Sequence, residues 1–237
     1  MEFYVTIYRI LEDEEMKKLF WKYILAITLA TISIGYGMET HVEATTSFKD
    51  LHLSGTHAAD IMEMYELGIV EGRTSTLFKP RENATRGEIA LYIANALGIN
   101  TENVNNPRFS DLPTSSKYYH AVAALTELGV INGIKMADGT YQFKAHEAVQ
   151  RVHMAKLMTL GFDLEVATKL NHPFADITIY NRETQLYVQT LYDLGIAKGS
   201  SATAYNPKAP VRRMELATFL SRAVKNANDN FDIISIE

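Results

Sequence analysis

The chain has no cysteine, a single tryptophan and no excess of basic residues among its 237 amino acids. The absence of cysteine excludes disulfides, thiolate metal sites and thiol nucleophiles. The formal net charge of −5 provides no basic surface of the kind that binds phosphate backbones, so nucleic acid is not expected as a partner. Hydrophobic residues make up 47% of the chain, which is enough for a packed core, so we expect a globular protein.

Familiar catalytic motifs are also missing. The chain contains no Gly-x-Ser-x-Gly, no phosphate-binding glycine loop and no His-Glu-x-x-His, because His146 and His153 are too far apart for that spacing. We therefore predict a protein that is not an enzyme and that uses no catalytic residue, metal or cofactor. Acidic residues are numerous enough for a hydrolytic carboxylate pair, which keeps an enzyme as the alternative.

The N-terminal region has the layout of a secretory signal peptide. Lysines follow Met16, an apolar run occupies residues 23–34, and Val42-Glu43-Ala44 has the small-x-small pattern of a cleavage site. The acidic stretch ahead of Met16 is foreign to such a signal, so we interpret residues 1–44 as a leader plus signal peptide whose true start is Met16. The apolar run is short for a bilayer span, and a transmembrane anchor is the less favoured interpretation. We expect a secreted protein with no stable membrane span after cleavage.

One sequence unit occurs three times. Each copy opens on a Phe-x-Asp motif, which begins at residues 48, 109 and 174. A Leu-Gly pair follows, and a second glycine comes four residues after the first; these second glycines are Gly72, Gly133 and Gly199. An arginine motif then begins the last stretch of each copy, with Arg86, Arg151 and Arg213. Such self-similarity indicates a repeat protein.

Apolar periodicity predicts helix, loop, helix in each unit. The stripe before the first Leu-Gly pair has the i, i+3, i+4, i+7 spacing of an amphipathic helix, with Ala58, Ile61, Met62 and Tyr65. Glycine accepts a positive φ without steric cost, so the first glycine of each copy is predicted to end this helix: Gly68, Gly129 and Gly195. Thr85 and Glu88 have the pattern of a capping box at the start of a second helix. The longer middle loop contains a predicted turn at residues 137–140.

The three units are expected to form one body. A single helix pair of this size cannot bury its apolar face, so we predict a mostly α-helical, pseudo-threefold bundle around a shared core. The units are assigned to residues 45–100, 101–164 and 165–227, followed by a short tail at 228–237.

Four features together resemble the S-layer homology repeat, whose hallmark is a Thr-Arg-Ala-Glu motif: the Phe-x-Asp opening, the glycine pair, the Phe-x-Pro loop and the segment Thr85-Arg86-Gly87-Glu88. The likeness covers residues 48–226. It implies a three-pronged helical spindle that attaches non-covalently to the bacterial cell wall. Grooves between repeats would bind the secondary polysaccharide of a Gram-positive wall through an acidic pyruvyl ketal, with S-layer or other wall proteins as further partners. A secreted cell-wall-modifying enzyme, or an accessory subunit of one, is the alternative.

The resemblance implies that the motif arginines bind the ketal carboxylate: Arg86, Arg151 and Arg213. A guanidinium group offers donors in a planar fork that matches a carboxylate by two parallel hydrogen bonds. Each arginine is predicted to start a helix, where free backbone N–H groups and the helix dipole also favour an anion. The alternative role for these arginines is a salt bridge between repeats.

The other candidate residues have two interpretations each. The motif aspartates would accept sugar hydroxyls or orient the arginines, or else cap a turn: Asp50, Asp111 and Asp176. The second glycines would let the backbone approach the sugar, or would serve the backbone conformation alone: Gly72, Gly133 and Gly199. Glu88 is expected to be structural.

The second and third copies depart from the pattern. Gln150 and His153 replace the capping threonine and the glutamate in the second copy, and Arg212 replaces the threonine in the third. Both threonine replacements remove the helix cap. We therefore rank the site of Arg86 above those of the other two motif arginines. No tryptophan lies beyond residue 44, so any stacking on sugar would fall to tyrosines.

Overall fold

The computed structural model describes the backbone of residues 48–234 and the side chains of residues 48–227. Residues 46–226 form one compact unit. A second unit combines residues 1–45 with 227–237, and apart from the end of the last helix it lies outside the described residues. The signal peptide predicted in residues 1–44 also lies outside them.

Six α-helices lie in the described part of the chain, two in each repeat. In chain order they are α1 (Ala58–Glu66), α2 (Arg86–Ala96), α3 (Tyr119–Glu127), α4 (Arg151–Gly161), α5 (Arg182–Asp193) and α6 (Arg213–Ile234). Segments of 3-10 helix precede α1 and α5, at Leu51–His57 and Ala175–Ile177. A short antiparallel hairpin lies between α3 and α4 and consists of β1 (Ile134–Lys135) and β2 (Tyr141–Gln142). The predicted mostly α-helical fold is confirmed.

Local sequence signals explain where the helices begin and end. The Thr85 hydroxyl accepts from the backbone N–H of Glu88, and the Glu88 carboxylate accepts from the backbone N–H of Thr85, so the predicted capping box is present. The first helices each end at a glycine with φ near +70°, as predicted for Gly68, Gly129 and Gly195. The turn expected at 137–140 closes the hairpin, with Gly139 at φ +85°.

Neighbouring repeats pack helix against helix. The second helix of one repeat contacts the first helix of the next, as α2 with α3 and α4 with α5. The cycle is completed by polar contacts from α6 to α1: Thr218 Oγ1 donates to Asp60 (2.5 Å) and Ser221 Oγ donates to Glu63 (2.9 Å). The third repeat therefore contacts the first.

A ring of backbone hydrogen bonds lies where the three repeats meet. Ala84 N–H donates to the carbonyl of Val211 (2.8 Å), Val211 to that of Val149 (2.8 Å), and Val149 to that of Ala84 (3.4 Å). All three side chains are buried. Because each residue comes two positions before a motif arginine, the ring brings the three motifs together and gives the expected pseudo-threefold arrangement.

The last helix runs further than its counterparts in the first two repeats. It continues to Ile234, into the segment set apart as a tail on sequence grounds. Neither glycine nor proline interrupts the sequence after residue 213, so neither of the two strongest helix breakers ends the helix early. Within residues 48–234, no helix combines the length and the apolar character needed to cross a membrane.

Candidate functional site

The three motif arginines begin α2, α4 and α6, as predicted, and each contacts the loop of the following repeat. Their Nε atoms donate to the carbonyl oxygen of an aromatic residue there: Arg86 to Phe143 (2.7 Å), Arg151 to Tyr205 (3.0 Å) and Arg213 to Phe78 (2.9 Å). The guanidinium carbons lie 4.9, 5.0 and 4.6 Å from the centroids of the same rings, within cation–π range. These contacts connect the repeats into a closed cycle.

The first backbone N–H groups of these helices are not free. The N–H of Arg86 donates to the carbonyl of Glu147 (2.9 Å), and that of Gly87 donates to Ala145 (2.8 Å). The same two positions of α4 and α6 also donate to loop carbonyls of the next repeat. The expectation that free helix N–H groups favour an anion here is wrong, because the repeats use these donors to bind each other.

Arg213 forms a buried ion pair between the third and first repeats. Its side chain is 1% exposed, and Nη1 contacts the carboxylate of Glu88, whose side chain is 2% exposed. The guanidinium also donates to the carbonyl of Glu71 (2.6 Å) and to the hydroxyl of Tyr92 (3.3 Å). Protein groups therefore occupy the planar fork of Arg213.

Arg151 repeats this arrangement between the second and third repeats. Its side chain is 7% exposed, and Nη1 lies 3.1 Å from Oε1 of Glu215. Burial raises the pKa of Tyr205 to about 12, although the charge of Arg151 acts in the opposite direction. The Tyr205 hydroxyl therefore keeps its proton, and it donates to the backbone carbonyl of Arg151 (3.3 Å). The carboxylate of the next repeat thus neutralises this arginine as well.

Arg86 has no such carboxylate. The second repeat carries His153 at the position that Glu88 and Glu215 occupy in the other two. The Arg86 side chain is half-buried, and beyond its Nε bond it makes only a 3.5 Å contact from Nη2 to the carbonyl of Asn132. Among the ion pairs of the described residues, none includes Arg86. Its charge is therefore not neutralised by a direct contact.

The pKa values of Arg86 and His153 are both shifted in the direction expected for a half-buried cation without a carboxylate partner. Burial lowers the pKa of Arg86 from its ordinary value, and the more distant charges of Glu147 and Asp111 oppose that effect. Burial, followed by the charge of Arg86, lowers the pKa of His153. A guanidinium group stays charged at neutral pH even so. The result is a half-buried cation beside an imidazole that is predominantly neutral at pH 7.

A groove of about 470 Å³ lies beside Arg86, between the first and second repeats. Its apolar lining comes from residues such as Ile89, Val130 and Phe143, and its polar lining includes Asn132, Glu147, His153 and Lys156. Glu147 is paired with Lys144 at 3.0 Å, which reduces its repulsion of an anion. An apolar groove with a few polar groups and an available cation suits a small anionic ligand.

The motif aspartates bind backbone groups of their own repeats. Each carboxylate accepts two N–H groups: Asp50 from Phe78 and Lys79, Asp111 from Phe143 and Lys144, and Asp176 from Tyr205 and Asn206, all at 2.7–2.9 Å. The second donor of each pair has φ near +60°, which is uncommon for residues other than glycine. Each aspartate therefore holds a strained loop and, with it, the aromatic residue that supports a motif arginine.

The second glycines make room for the aromatic rings of the opening motifs. A Cβ added at Gly72, Gly133 or Gly199 would lie 2.5, 2.3 or 2.4 Å from a ring carbon of Phe48, Phe109 or Phe174, respectively. No real Cβ tolerates such distances, so packing requires glycine at all three positions, and Gly199 also has φ +76°. Room for these rings is therefore a structural reason for the glycines that differs from both interpretations offered above.

Sequence reasoning missed several residues of this region. Glu215 was not recognised as the partner of Arg151, and Asn132, Glu147 and Lys156 were not recognised as groove residues. The signal available in the sequence was the replacement of the motif glutamate by His153. That replacement shows that Arg86 lacks a carboxylate partner only once it is known that each motif arginine pairs with the glutamate of the next repeat.

The chain matches the S-layer homology domain family in three segments, residues 47–90, 108–155 and 173–217. It is 28% identical over 188 residues to the surface-layer 125 kDa protein of Lysinibacillus sphaericus, covering 78% of this chain and 15% of that protein. It is 28% identical over 164 residues to the cellulosome-anchoring protein of Acetivibrio thermocellus, covering 66% and 35%. It is 26% identical over 168 residues to an amylopullulanase of Thermoanaerobacterium thermosulfurigenes, covering 69% and 9%.

The chain spans 9–35% of the length of these three relatives. The matched segments each contain one Phe-x-Asp opening and one motif arginine, and the first and third also contain the glutamate that pairs across repeats. The sequence repeat, the cyclic packing of the helices and these matches all indicate three copies of one unit. The chain therefore belongs to the S-layer homology domain family and carries three copies of that domain.

Proposed function

We propose that this protein attaches non-covalently to the bacterial cell wall and that it binds without catalysing a reaction. Family membership supports anchoring, and one relative is named for anchoring a cellulosome. The amylopullulanase shares only 9% of its length with this chain, so the common segment is a small part of that enzyme. A position at the cell surface follows from the same relationships.

The proposed ligand is the acidic secondary polysaccharide of the wall, bound in the groove beside Arg86. The observation that carries this proposal is a half-buried, unpaired guanidinium at the edge of an open groove between two repeats. A ketal carboxylate would accept charge-assisted hydrogen bonds from it. The apolar lining around Val130 and Phe143 would contact the faces of the sugar ring, while Asn132 would contact its hydroxyls.

The remaining predicted site residues act on the groove indirectly in this proposal. Arg151 and Arg213 hold the repeats together, the aspartates hold the loops, and the glycines admit the aromatic rings. S-layer or other wall proteins remain candidate partners beside the polysaccharide.

Co-sedimentation with purified Gram-positive wall tests this proposal. We expect the protein to pellet with intact wall, not to pellet with wall stripped of its secondary polysaccharide, and to pellet weakly with wall whose pyruvyl ketals have been removed by mild acid. Pelleting that survives stripping would reject the polysaccharide as ligand. The turbidity of the wall suspension should stay constant, whereas a protein-dependent loss would favour the enzyme alternative.

Binding is expected to strengthen on acidification. The pKa of His153 lies below its ordinary value because of burial and Arg86, and an anion beside Arg86 would raise it again. Since the bound state then takes up a proton, affinity rises as pH falls through the bound-state pKa and levels off below the free-state pKa. The other charged groups that line the groove beside Arg86 are Lys156 and Glu147.

The measurement is the dissociation constant of soluble polysaccharide fragments at about pH 8 and about pH 5.5. The expected gain is about tenfold for each unit by which binding raises the pKa of His153. The variant His153→Gln serves as the control and should show a flat profile. An equal pH dependence in both proteins would assign the effect to another group.

A further inference from the structure

The geometry points to a specific position for the ligand's anionic group: it takes the place of the carboxylate that the second repeat lacks at residue 153. On this inference, which rests on the proposed function, the ligand carboxylate completes a cycle of three arginine–carboxylate pairs. Two pairs come from the protein itself, and the third forms only when the acidic sugar binds. The protein would then have one anion site and not three.

The cycle itself provides the first support. Arg151 pairs with Glu215 and Arg213 pairs with Glu88, and in both cases the carboxylate comes from the next repeat, two residues after its motif arginine. The same step from Arg86 leads to His153. The three arginines share their Nε bond and their aromatic support, so their guanidinium groups are held in equivalent orientations.

Accessibility provides the second support. Arg151 and Arg213 are buried, and their pairing carboxylates already neutralise them. Arg86 is half-buried, and His153, which its neighbours partly desolvate, keeps enough exposed surface to line the same groove from the solvent side. An anion can therefore reach Arg86 from solvent and approach the side of the guanidinium that a glutamate side chain would otherwise occupy.

The charges around the position favour a single anionic group. Arg86 and Lys156 are positive, and His153 becomes positive when it takes up a proton. Glu147 is the carboxylate that lines the same groove, and it is paired with Lys144. The carboxylate of Asp111 is occupied by two backbone N–H groups. A carboxylate-bearing sugar matches this balance, whereas a neutral sugar would leave Arg86 unpaired.

The test is to supply the missing carboxylate from the protein. The variant His153→Glu restores the residue that the other two repeats carry, so its side chain should pair with Arg86 and compete with the ligand. His153→Gln is the matched control, since glutamine has the same shape without the charge. His120→Glu makes the same charge change at an exposed position away from this groove.

Binding of soluble wall polysaccharide fragments is measured for all four proteins, and thermal unfolding is recorded to confirm that each is folded. At pH 8 we expect His153→Glu to bind at least tenfold more weakly than His153→Gln, while His120→Glu stays within about threefold of the unsubstituted protein. The melting temperature of His153→Glu should equal or exceed that of His153→Gln.

Other outcomes separate this inference from the proposed function. If the unsubstituted protein binds and His153→Glu binds as well as His153→Gln, the proposed position is overturned while polysaccharide binding stands. If both variants at 153 lose binding equally, the imidazole is itself a contact and the position is again overturned. If the unsubstituted protein binds neither wall nor fragments, the proposed function fails, and this inference fails with it.

Discussion

Replacing Arg213 with alanine is expected to lower the free energy of unfolding by about 3–5 kcal/mol. The substitution removes one of the two arginines that contact the buried carboxylate of Glu88, which keeps Arg73 at 3.0 Å. It also removes the donors to the carbonyls of Phe78 and Glu71, of which the Glu71 carbonyl keeps the Tyr92 hydroxyl (3.1 Å). Each lost charge-assisted hydrogen bond contributes about 1.5–3 kcal/mol, and buried polar groups that lose a donor are poorly solvated by the protein interior. Urea unfolding followed by circular dichroism measures this loss.

The adjacent arginine provides a matched control. Arg212 is exposed, and none of the ion pairs among the described residues includes it, so Arg212→Ala should change the unfolding free energy by no more than about 0.5 kcal/mol. If Arg213→Ala proved as mild as Arg212→Ala, the contact between the third and first repeats would not stabilise the fold. The repeats would then be expected to unfold as separate units.

The local features of this fold could be predicted from the sequence. The capping box of Thr85 and Glu88 and the helix ends at Gly68, Gly129 and Gly195 depend on residues within one helical turn of each other. Helix positions followed from apolar periodicity, which reflects burial of one face. The resemblance between copies then indicated that three equivalent units pack together.

The roles of the motif residues could not be predicted in the same way, because they depend on contacts between distant parts of the chain. Arg213 and Glu88 are 125 residues apart, and Arg151 and Glu215 are 64 residues apart. Asp50 similarly binds backbone N–H groups 28 and 29 residues away. Sequence spacing alone does not distinguish an arginine that binds a ligand from one that binds the next repeat.

The ranking of Arg86 above the other motif arginines rested on an incomplete reason. The ranking depends on the loss of the helix cap in the second and third repeats, and Gln150 makes no side-chain cap. The structure offers a different distinction, which is the presence or absence of a carboxylate from the following repeat. One replacement, histidine for glutamate at residue 153, therefore changes the surroundings of an arginine in another repeat.

Two substitutions, Arg86→Gln and Arg151→Gln, test whether Arg86 binds the ligand while Arg151 stabilises the fold. Arg86→Gln should weaken binding of soluble polysaccharide fragments about ten- to a hundredfold, because charge-assisted hydrogen bonds contribute about 1.5–3 kcal/mol. Its unfolding free energy should fall by only about 1 kcal/mol, for the lost bond to the Phe143 carbonyl. Glutamine keeps a polar side chain at each position, so the comparison isolates the charge.

Arg151→Gln should show the opposite result. It leaves Glu215 without its cation in a largely buried position, so the unfolding free energy should fall by about 2–3 kcal/mol. Fragment affinity should stay within about twofold, provided that the measurement is made well below the melting temperature. A loss of affinity in Arg151→Gln equal to that in Arg86→Gln would place a second binding site between the second and third repeats. It would also mean that a carboxylate partner does not prevent a motif arginine from binding the wall.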